Sequence, residues 1–482
     1  MTSESTSILG LDRKAMEAER LARQQARKRQ RSISPPPIIT EFSPPASLQY
    51  PNGAVKKTWA FGHERTGHDI KLEEVLEPSS VRTAVLSAFQ WDIDWLLRKL
   101  KTPLNGGSTK CVFVMQAKEK EDRDQWREDA SDMSHFLRFC FPNMSGLISC
   151  MHSKLMLLFH PHKLRIAIPT ANLLNFDWGE TGQMENSVFL IDLPRYSDGL
   201  KASLEDLPSF GRELMYFIQK QGLDQDVRDG VLKFDFSATR DMAFVHTVGG
   251  VHYKDEAART GLLGLSSAVR ELGLSTGSDL EIEFAASSIG MLNEAQVNDL
   301  HTAARGKPQQ SSSTTETSTA RKNVRIYFPT ADTVRSSTAG SAGTICLQRK
   351  YFEAKNFPRD IFRDYKSTRR GLLSHNKILC ARSRKEKVAW VYVGSANMSK
   401  SAWGELGAKR DENKITCRNW ECGVILPVAR KVKDENGDEE TDDEGEDEKA
   451  LVSMNAFANV IDLPFEVPGE EYAGREPWYF ME

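Results

Sequence analysis

Two stretches constrain this chain more than any other part of it: Met151–Trp178 and Ser374–Gly404 follow one pattern twice. The first reads M-H-S-K-L-M-L-L-F, then a basic hairpin, then A-I-P-T-A-N-L-L-N-F-D-W. The second reads S-H-N-K-I-L-C-A, another basic hairpin, then V-Y-V-G-S-A-N-M-S-K-S-A-W-G. Each opens with His-x-Lys at the start of an apolar strand and reaches a small-residue turn with an Asn, 20 residues on at Asn172 and 22 on at Asn397. Side chains alternate faces along a strand, so His152 and Lys154 share a face, as do His375 and Lys377.

That pairing has a chemical reading. An imidazole can act as nucleophile or proton carrier, an ammonium neutralises a phosphoryl oxygen, and an Asn amide adds a neutral donor. Two such sets facing each other suit metal-independent phosphoryl transfer: one imidazole attacks phosphorus, the other protonates the departing oxygen, and lysines and asparagines hold the charge. A zinc site built on His152, His160 and His162 fits poorly, because no Asp or Cys joins them at ligand spacing.

The rest of the chain supplies a setting. With 482 residues it exceeds one core and is expected to hold two. Formal charge is −3, but the run Asp434–Glu448 is so rich in carboxylates that the remainder is net basic, as suits a polyanionic partner. Seven cysteines without CxxC spacing read as reduced thiols, and no apolar run is long enough for a bilayer. An intracellular protein is expected, with no membrane role.

Residues 1–50 read as a disordered tail in which Arg27–Arg31 could serve as a nuclear signal, and order is expected from about Trp59. Apolar spacing predicts a helix over Ser80–Leu100, capped by Ser79 or Ser80, then a strand at Cys111–Met115 and a polar helix near Asp122–Ala130. Strands follow at Lys154–Phe159, Leu164–Pro169 and Val188–Asp192, with a helix at Ser209–Gln221. From about Ala238 the order restarts: strand Met242–His246, helix Leu262–Leu272, strand Glu281–Phe284, helix Asn293–Ala304 with an Asn293/Gln296 capping box, and strands Val324–Phe328 and Gly423–Pro427. Flexible inserts are expected near 305–321 and 433–449.

The paired blocks resemble the phospholipase D superfamily, in its tyrosyl-DNA phosphodiesterase branch. The superfamily's usual Asp, after four further residues, is replaced here by Phe159 and Arg382, and that absence is the branch's own signature. Similar too are S-A-F-Q-W-D-I-D-W-L near residue 90, A-S-S-I-G near 288 and P-F-E-V-P-x-x-x-Y-x-x-R-E-P-W at the end. The resemblance implies an α/β fold of two phospholipase D-like α-β-α domains related by a pseudo-two-fold, over 51–238 and 239–482.

It also implies roles. His152 would form a phosphohistidine with a DNA 3′ end, releasing tyrosine or a topoisomerase-derived peptide, and His375 would protonate the tyrosyl oxygen and then activate water. Lys154, Lys377, Asn172 and Asn397 would hold the phosphoryl oxygens. Gln183 and Glu421 would orient the imidazoles, the amide on the His152 side and the carboxylate on the His375 side. DNA would contact Ser287, Ser288, Ile289, Gly290 and Ser399, with backbone amides approaching phosphates, and Lys350. Ile148 stands where the family tends to carry a base-stacking aromatic. The implied protein is a cofactor-free monomer in the nucleus, acting on 3′ ends with tyrosyl or peptide adducts. Another superfamily phosphodiesterase, a nuclease or lipid hydrolase, or a non-catalytic DNA-end-binding protein stay open as alternatives.

Overall fold

Each His-x-Lys block feeds a strand with no polar face, and the computed structural model shows why: both faces of each central sheet are covered. The structure describes residues 48–482 apart from 198–199, 309–313, 408–413, 431–449 and 481–482. In the first half β1 (Ala54–Thr58), β2 (Thr83–Ser87), β3 (Lys110–Val114), β4 (Leu137–Cys140), β5 (Leu155–Phe159), β6 (Lys163–Pro169) and β7 (Ser187–Pro194) lie in the order β1-β7-β6-β5-β2-β3-β4. In the second, β8 (Ala243–Thr247), β9 (Glu281–Ala285), β10 (Val324–Phe328), β11 (Phe362–Asp364), β12 (Ile378–Arg382), β13 (Ala389–Gly394) and β14 (Asn419–Ala429) take the order β8-β14-β13-β12-β9-β10-β11. Adding seven to each label of the first sheet gives the second. The directions repeat as well: β2-β3-β4 and β9-β10-β11 are parallel and the other neighbours in these two orders are antiparallel, while the first sheet has one further edge strand, Asp69–Ile70, parallel to β1.

Period-two alternation assigns each face to a core. Leu155 and Leu157 of β5, with Ile378 and Cys380 of β12, enter one cluster shared by both sheets and the helix Ser209–Gln221. Met156 and Leu158 face a separate cluster with the helix Ile93–Lys99, while Leu379 and Ala381 face another with the helices Gly261–Glu271 and Glu294–Ala304. The layers therefore run helix, sheet, shared core, sheet, helix, and residues from Leu48 onward form one compact unit. A boundary at 238/239, which we propose, falls just before β8.

Most expected elements are present within a residue or two, and the Asn293/Gln296 capping box forms with Asn293 as the N-cap. The helix expected over Ser80–Leu100 is a correction. Its first part is strand β2, where Ala84 and Leu86 face one core and Val85 the other, so the sequence lacks the polar alternation that marks a one-sided strand. The helix itself starts at Ile93, with Asp92 accepting from the Trp95 N–H at 3.0 Å. Order also begins before Trp59: the N–H groups of Gln49 and Tyr50 donate to Asp192 at 2.9 and 3.2 Å, and β1 follows. The remaining tail residues 1–47 lie outside the described residues, as does the acidic run. The insert expected at 305–321 overlaps a helix, Thr314–Asn323, tied by Arg321 to Asp360 and Glu294.

Candidate active site

The two motif blocks meet because each half lends a strand to the other. Cys150–Met151 pairs in parallel with Asn419–Trp420 of β14, and the His152 N–H donates to the Trp420 carbonyl at 3.0 Å. In the same way Leu373–Ser374 pairs with Met184–Glu185, and the His375 N–H donates to the Glu185 carbonyl at 3.1 Å. His152–Lys154 and His375–Lys377 therefore sit at the joint between a crossing segment and the strand that follows, rather than at a strand start. Each ammonium donates back to the carbonyl of its own histidine, Lys154 at 2.8 Å and Lys377 likewise.

The crossing decides which acid stands behind which imidazole. Nδ1 of His152 lies 2.8 Å from Oε2 of Glu421, a residue of the opposite half that is 1 % exposed. Glu421 is held in turn by the Ser395 hydroxyl at 2.5 Å and the Asn419 amide at 2.9 Å. A carboxylate accepts, so Nδ1 carries the proton and Nε2 of a neutral His152 keeps its lone pair. Behind His375 stands Asp177, fully buried, with Oδ2 3.5 Å from Nδ1 and 2.7 Å from the Asn172 N–H.

The expected pairing is thus reversed. Glu421 backs His152, not His375, and half-buried Gln183 lies beside the His375 segment, its carbonyl accepting from Leu373 at 2.9 Å. The physical reason is the strand exchange, which turns each half's late residues toward the other half's histidine. Asp177 escaped the sequence reading although it sits inside A-N-L-L-N-F-D-W. So did Phe89, whose half-buried ring stands 5.4 Å from that of His152.

Asn172 and Asn397 are positioned alike. Oδ1 of Asn397 accepts from the Ser287 and Ser288 N–H groups at 3.2 and 3.0 Å, and Oδ1 of Asn172 accepts from the Gln90 N–H at 3.4 Å. Backbone N–H groups only donate, so the facing atom is the amide oxygen and the NH2 points the other way as a donor.

Burial and like charge set the electrostatics. Burial first, then Lys377, pushes His375 down to about 3, and burial holds His152 below its ordinary value although Glu421 pulls it back up. Burial lowers Lys154 to about 8, and burial together with the Lys154 charge takes Lys377 well below a normal lysine. Asp177 is pushed up by burial, yet His375, the Asn172 N–H and Lys377 outweigh this and leave it low. Two neutral imidazoles and two mutually repelling ammoniums make a site that an anion would relieve. Among the described residues no group of three His, Cys, Asp or Glu side chains is placed to hold a metal ion.

The expected DNA contacts fare differently. The amides of Ser287 and Ser288 are spent on Asn397, that of Ile289 on the Cys346 carbonyl and that of Gly290 on the Met398 carbonyl. Backbone donation from this turn to phosphate is thereby corrected: the turn aligns Asn397 instead. Ser399 caps the helix Lys400–Trp403 and abuts Gly290, where an added Cβ would lie 2.8 Å from that of Ser399. Lys350 is exposed on the single turn Arg349–Phe352. Ile148 is 6 % exposed in the core against Gly249, not at a base-stacking position.

Residues 54–473 match the family model described as tyrosyl-DNA phosphodiesterase. The chain belongs to that family. It is 25 % identical over 457 residues to tyrosyl-DNA phosphodiesterase 1 of Arabidopsis thaliana, covering 85 % of this chain and 71 % of that protein. It is 26 % identical over 284 residues to a probable tyrosyl-DNA phosphodiesterase of Caenorhabditis elegans, covering 55 % of this chain and 59 % of the other. The crystal structure of the yeast tyrosyl-DNA phosphodiesterase shares the fold, with a TM-score of 0.62 at 19 % identity over 89 % of this chain and all of that one. By family the protein is a phosphoric diester hydrolase of the phospholipase D superfamily.

Proposed function

We propose that this protein removes tyrosyl and peptide adducts from DNA 3′ ends, through a phosphohistidine and without metal, as a DNA-repair enzyme. The observation that carries the reading is the crossed pair: a neutral imidazole held through Nδ1 by Glu421 with its lone pair free at Nε2, and a second imidazole backed by Asp177, with Lys154 and Lys377 close enough to act on both.

The steps follow from the groups. Nε2 of His152 attacks phosphorus while the bond to the tyrosyl oxygen breaks, and His375 gives that oxygen its proton. Burial and Lys377 keep His375 neutral even with the Asp177 carboxylate behind it, so the bound phosphodiester must add to the pull of Asp177 for the imidazolium to form. Lys154, Lys377 and the Asn172 and Asn397 NH2 groups hold the phosphoryl oxygens. Water then attacks phosphorus and loses a proton to His375, the P–N bond breaks, and His152 returns with a DNA 3′-phosphate released. We extend the reading to a monomer acting in the nucleus, where such adducts arise.

Release of tyrosine from a 3′-phosphotyrosyl strand in EDTA tests substrate and metal independence together. His152→Ala is expected to abolish turnover. Full activity of that variant, or a requirement for added metal, overturns the reading.

A further inference from the structure

We propose that Trp59 and Phe61 form a docking shelf for the peptide carried on the scissile tyrosine, the shelf taking an apolar side chain close to that tyrosine. The inference rests on the functional reading above and goes beyond it by placing the protein part of the adduct.

Phe61 is 59 % exposed, whereas most large apolar side chains are buried. It is nonetheless fixed. β1 delivers it to the catalytic end of the first sheet: Lys57 pairs with Ser187, Val188 with Pro169, and Asn172 follows three residues after Pro169. The Phe61 N–H donates to the Gly179 carbonyl at 2.9 Å. A Cβ on Gly179 would lie 1.6 Å from the Trp59 carbonyl oxygen, and one on Gly182 2.6 Å from that of Phe61; both glycines have positive φ. Only glycines allow the 59–61 backbone to clasp the 179–182 loop so closely. The Phe61 ring meets Trp59 edge-on at 6.2 Å, and Lys71 Nζ stands 4.2 Å over the Trp59 ring. An exposed apolar ring on a rigid base is ready to bind without an ordering cost.

Its location selects the occupant. The clasped loop runs directly into Gln183, Met184 and Glu185, whose carbonyls and pairing carry the segment that ends at His375. Arg369 ties the same corner together, donating to the Thr58 carbonyl at 2.9 Å and to Glu185. In an in-line displacement the leaving oxygen departs on the side opposite the nucleophile. With His152 attacking, the tyrosine and whatever it carries leave on the His375 side, toward the segment that the loop clasped by Trp59 and Phe61 carries. A DNA strand belongs to the retained phosphoryl group and is not expected there.

The test compares one DNA strand bearing either 3′-phosphotyrosine or the same tyrosine within a short peptide containing a neighbouring leucine. Phe61→Ala in the full chain is expected to raise KM for the peptidyl substrate roughly tenfold, the scale of one apolar side chain's burial, with kcat and the phosphotyrosyl KM unchanged. Phe61→Trp is expected to restore the peptidyl KM. Equal KM values for Phe61→Ala and the native protein on the peptidyl substrate overturn the shelf, and an equal rise on both substrates assigns Phe61 to DNA and overturns it too. If the native protein leaves the phosphotyrosyl strand intact, the functional reading falls and the shelf with it; if it cleaves that strand and only the Phe61 effect is missing, the shelf alone falls.

Discussion

At the scale of single residues, the crossed acids give different settings to two histidines that the sequence shows as twins, and on the proposed reading these correspond to two jobs. Asp177→Asn keeps the shape behind His375 and removes the charge that supports its protonated form. Loss of a general acid costs about 10²–10⁴-fold, so tyrosine release should slow within that range. The same variant should lose far less on a 3′-(4-nitrophenyl phosphate) strand, whose leaving group needs no proton. Equal losses on both leaving groups would remove Asp177 from acid catalysis. A second outcome concerns charge: kcat/KM reports the free enzyme, in which burial sets Lys154 at about 8. The ammonium is present below that pH and lost above it, so kcat/KM should fall as pH rises through about 8. A profile flat to pH 10 would show that Lys154 keeps its proton. The histidines, lysines and asparagines were legible because two copies at nearly equal spacing exceed chance. Their partners were not, since Glu421 meets His152 only through pairing of Cys150–Met151 with Asn419–Trp420, which no local pattern encodes.

At the scale of elements, legibility followed local chemistry. The helix Ser209–Gln221 reads off its apolar face, and Asn293 announces its helix by capping. Strand β2 misled because burial on both faces erases the two-residue period, leaving length and the Asp92 cap as the clues. A further element-scale feature joins β6 to β7. Arg165, fully buried, donates from Nε to Oδ1 of Asp192 at 2.7 Å and from Nη2 to Oδ2 at 3.0 Å, with Lys163 3.2 Å from the same carboxylate. Glu77 holds the same two cations, 2.8 Å from Arg165 and 2.9 Å from Lys163, so removing Asp192 strands them only in part, at a cost of about 3 kcal/mol, the low end for a broken buried pair. Asp192→Ala should therefore lower the chemical-denaturation midpoint by that equivalent. Because Asp192 also anchors Gln49 and Tyr50, the loss should include the start of the chain before β1. An unchanged midpoint would show that Glu77 alone suffices to hold both cations.

At the scale of the molecule, the exchange of Cys150–Met151 and Leu373–Ser374 between the two sheets gives the candidate site residues from both halves, most of them buried. Buried imidazoles carry a consequence for the whole fold. His375 is held at about 3, and His160 and His301 at about 4, in each case chiefly by burial; His152, His246 and His252 are also lowered. In the unfolded chain each would take its proton near 6.5. Between about 6.5 and 4 the unfolded state therefore binds more protons than the folded one, so stability is intact above pH 6.5 and lost as pH falls through that window. Glu185 and Glu283, raised by burial, oppose the trend by binding protons early in the folded state, but they are fewer than the histidines. Each strongly lowered histidine removes about 2 kcal/mol of stability by pH 5. The urea midpoint should thus drop between pH 7 and pH 5, before most carboxylates titrate. His301→Gln separates this from general acid sensitivity: its amide can still donate to the Leu280 carbonyl, which His301 Nε2 meets at 2.8 Å, but it cannot titrate. That variant should show a smaller drop over the same interval, and a pH dependence identical to the native protein's would remove His301 from the account.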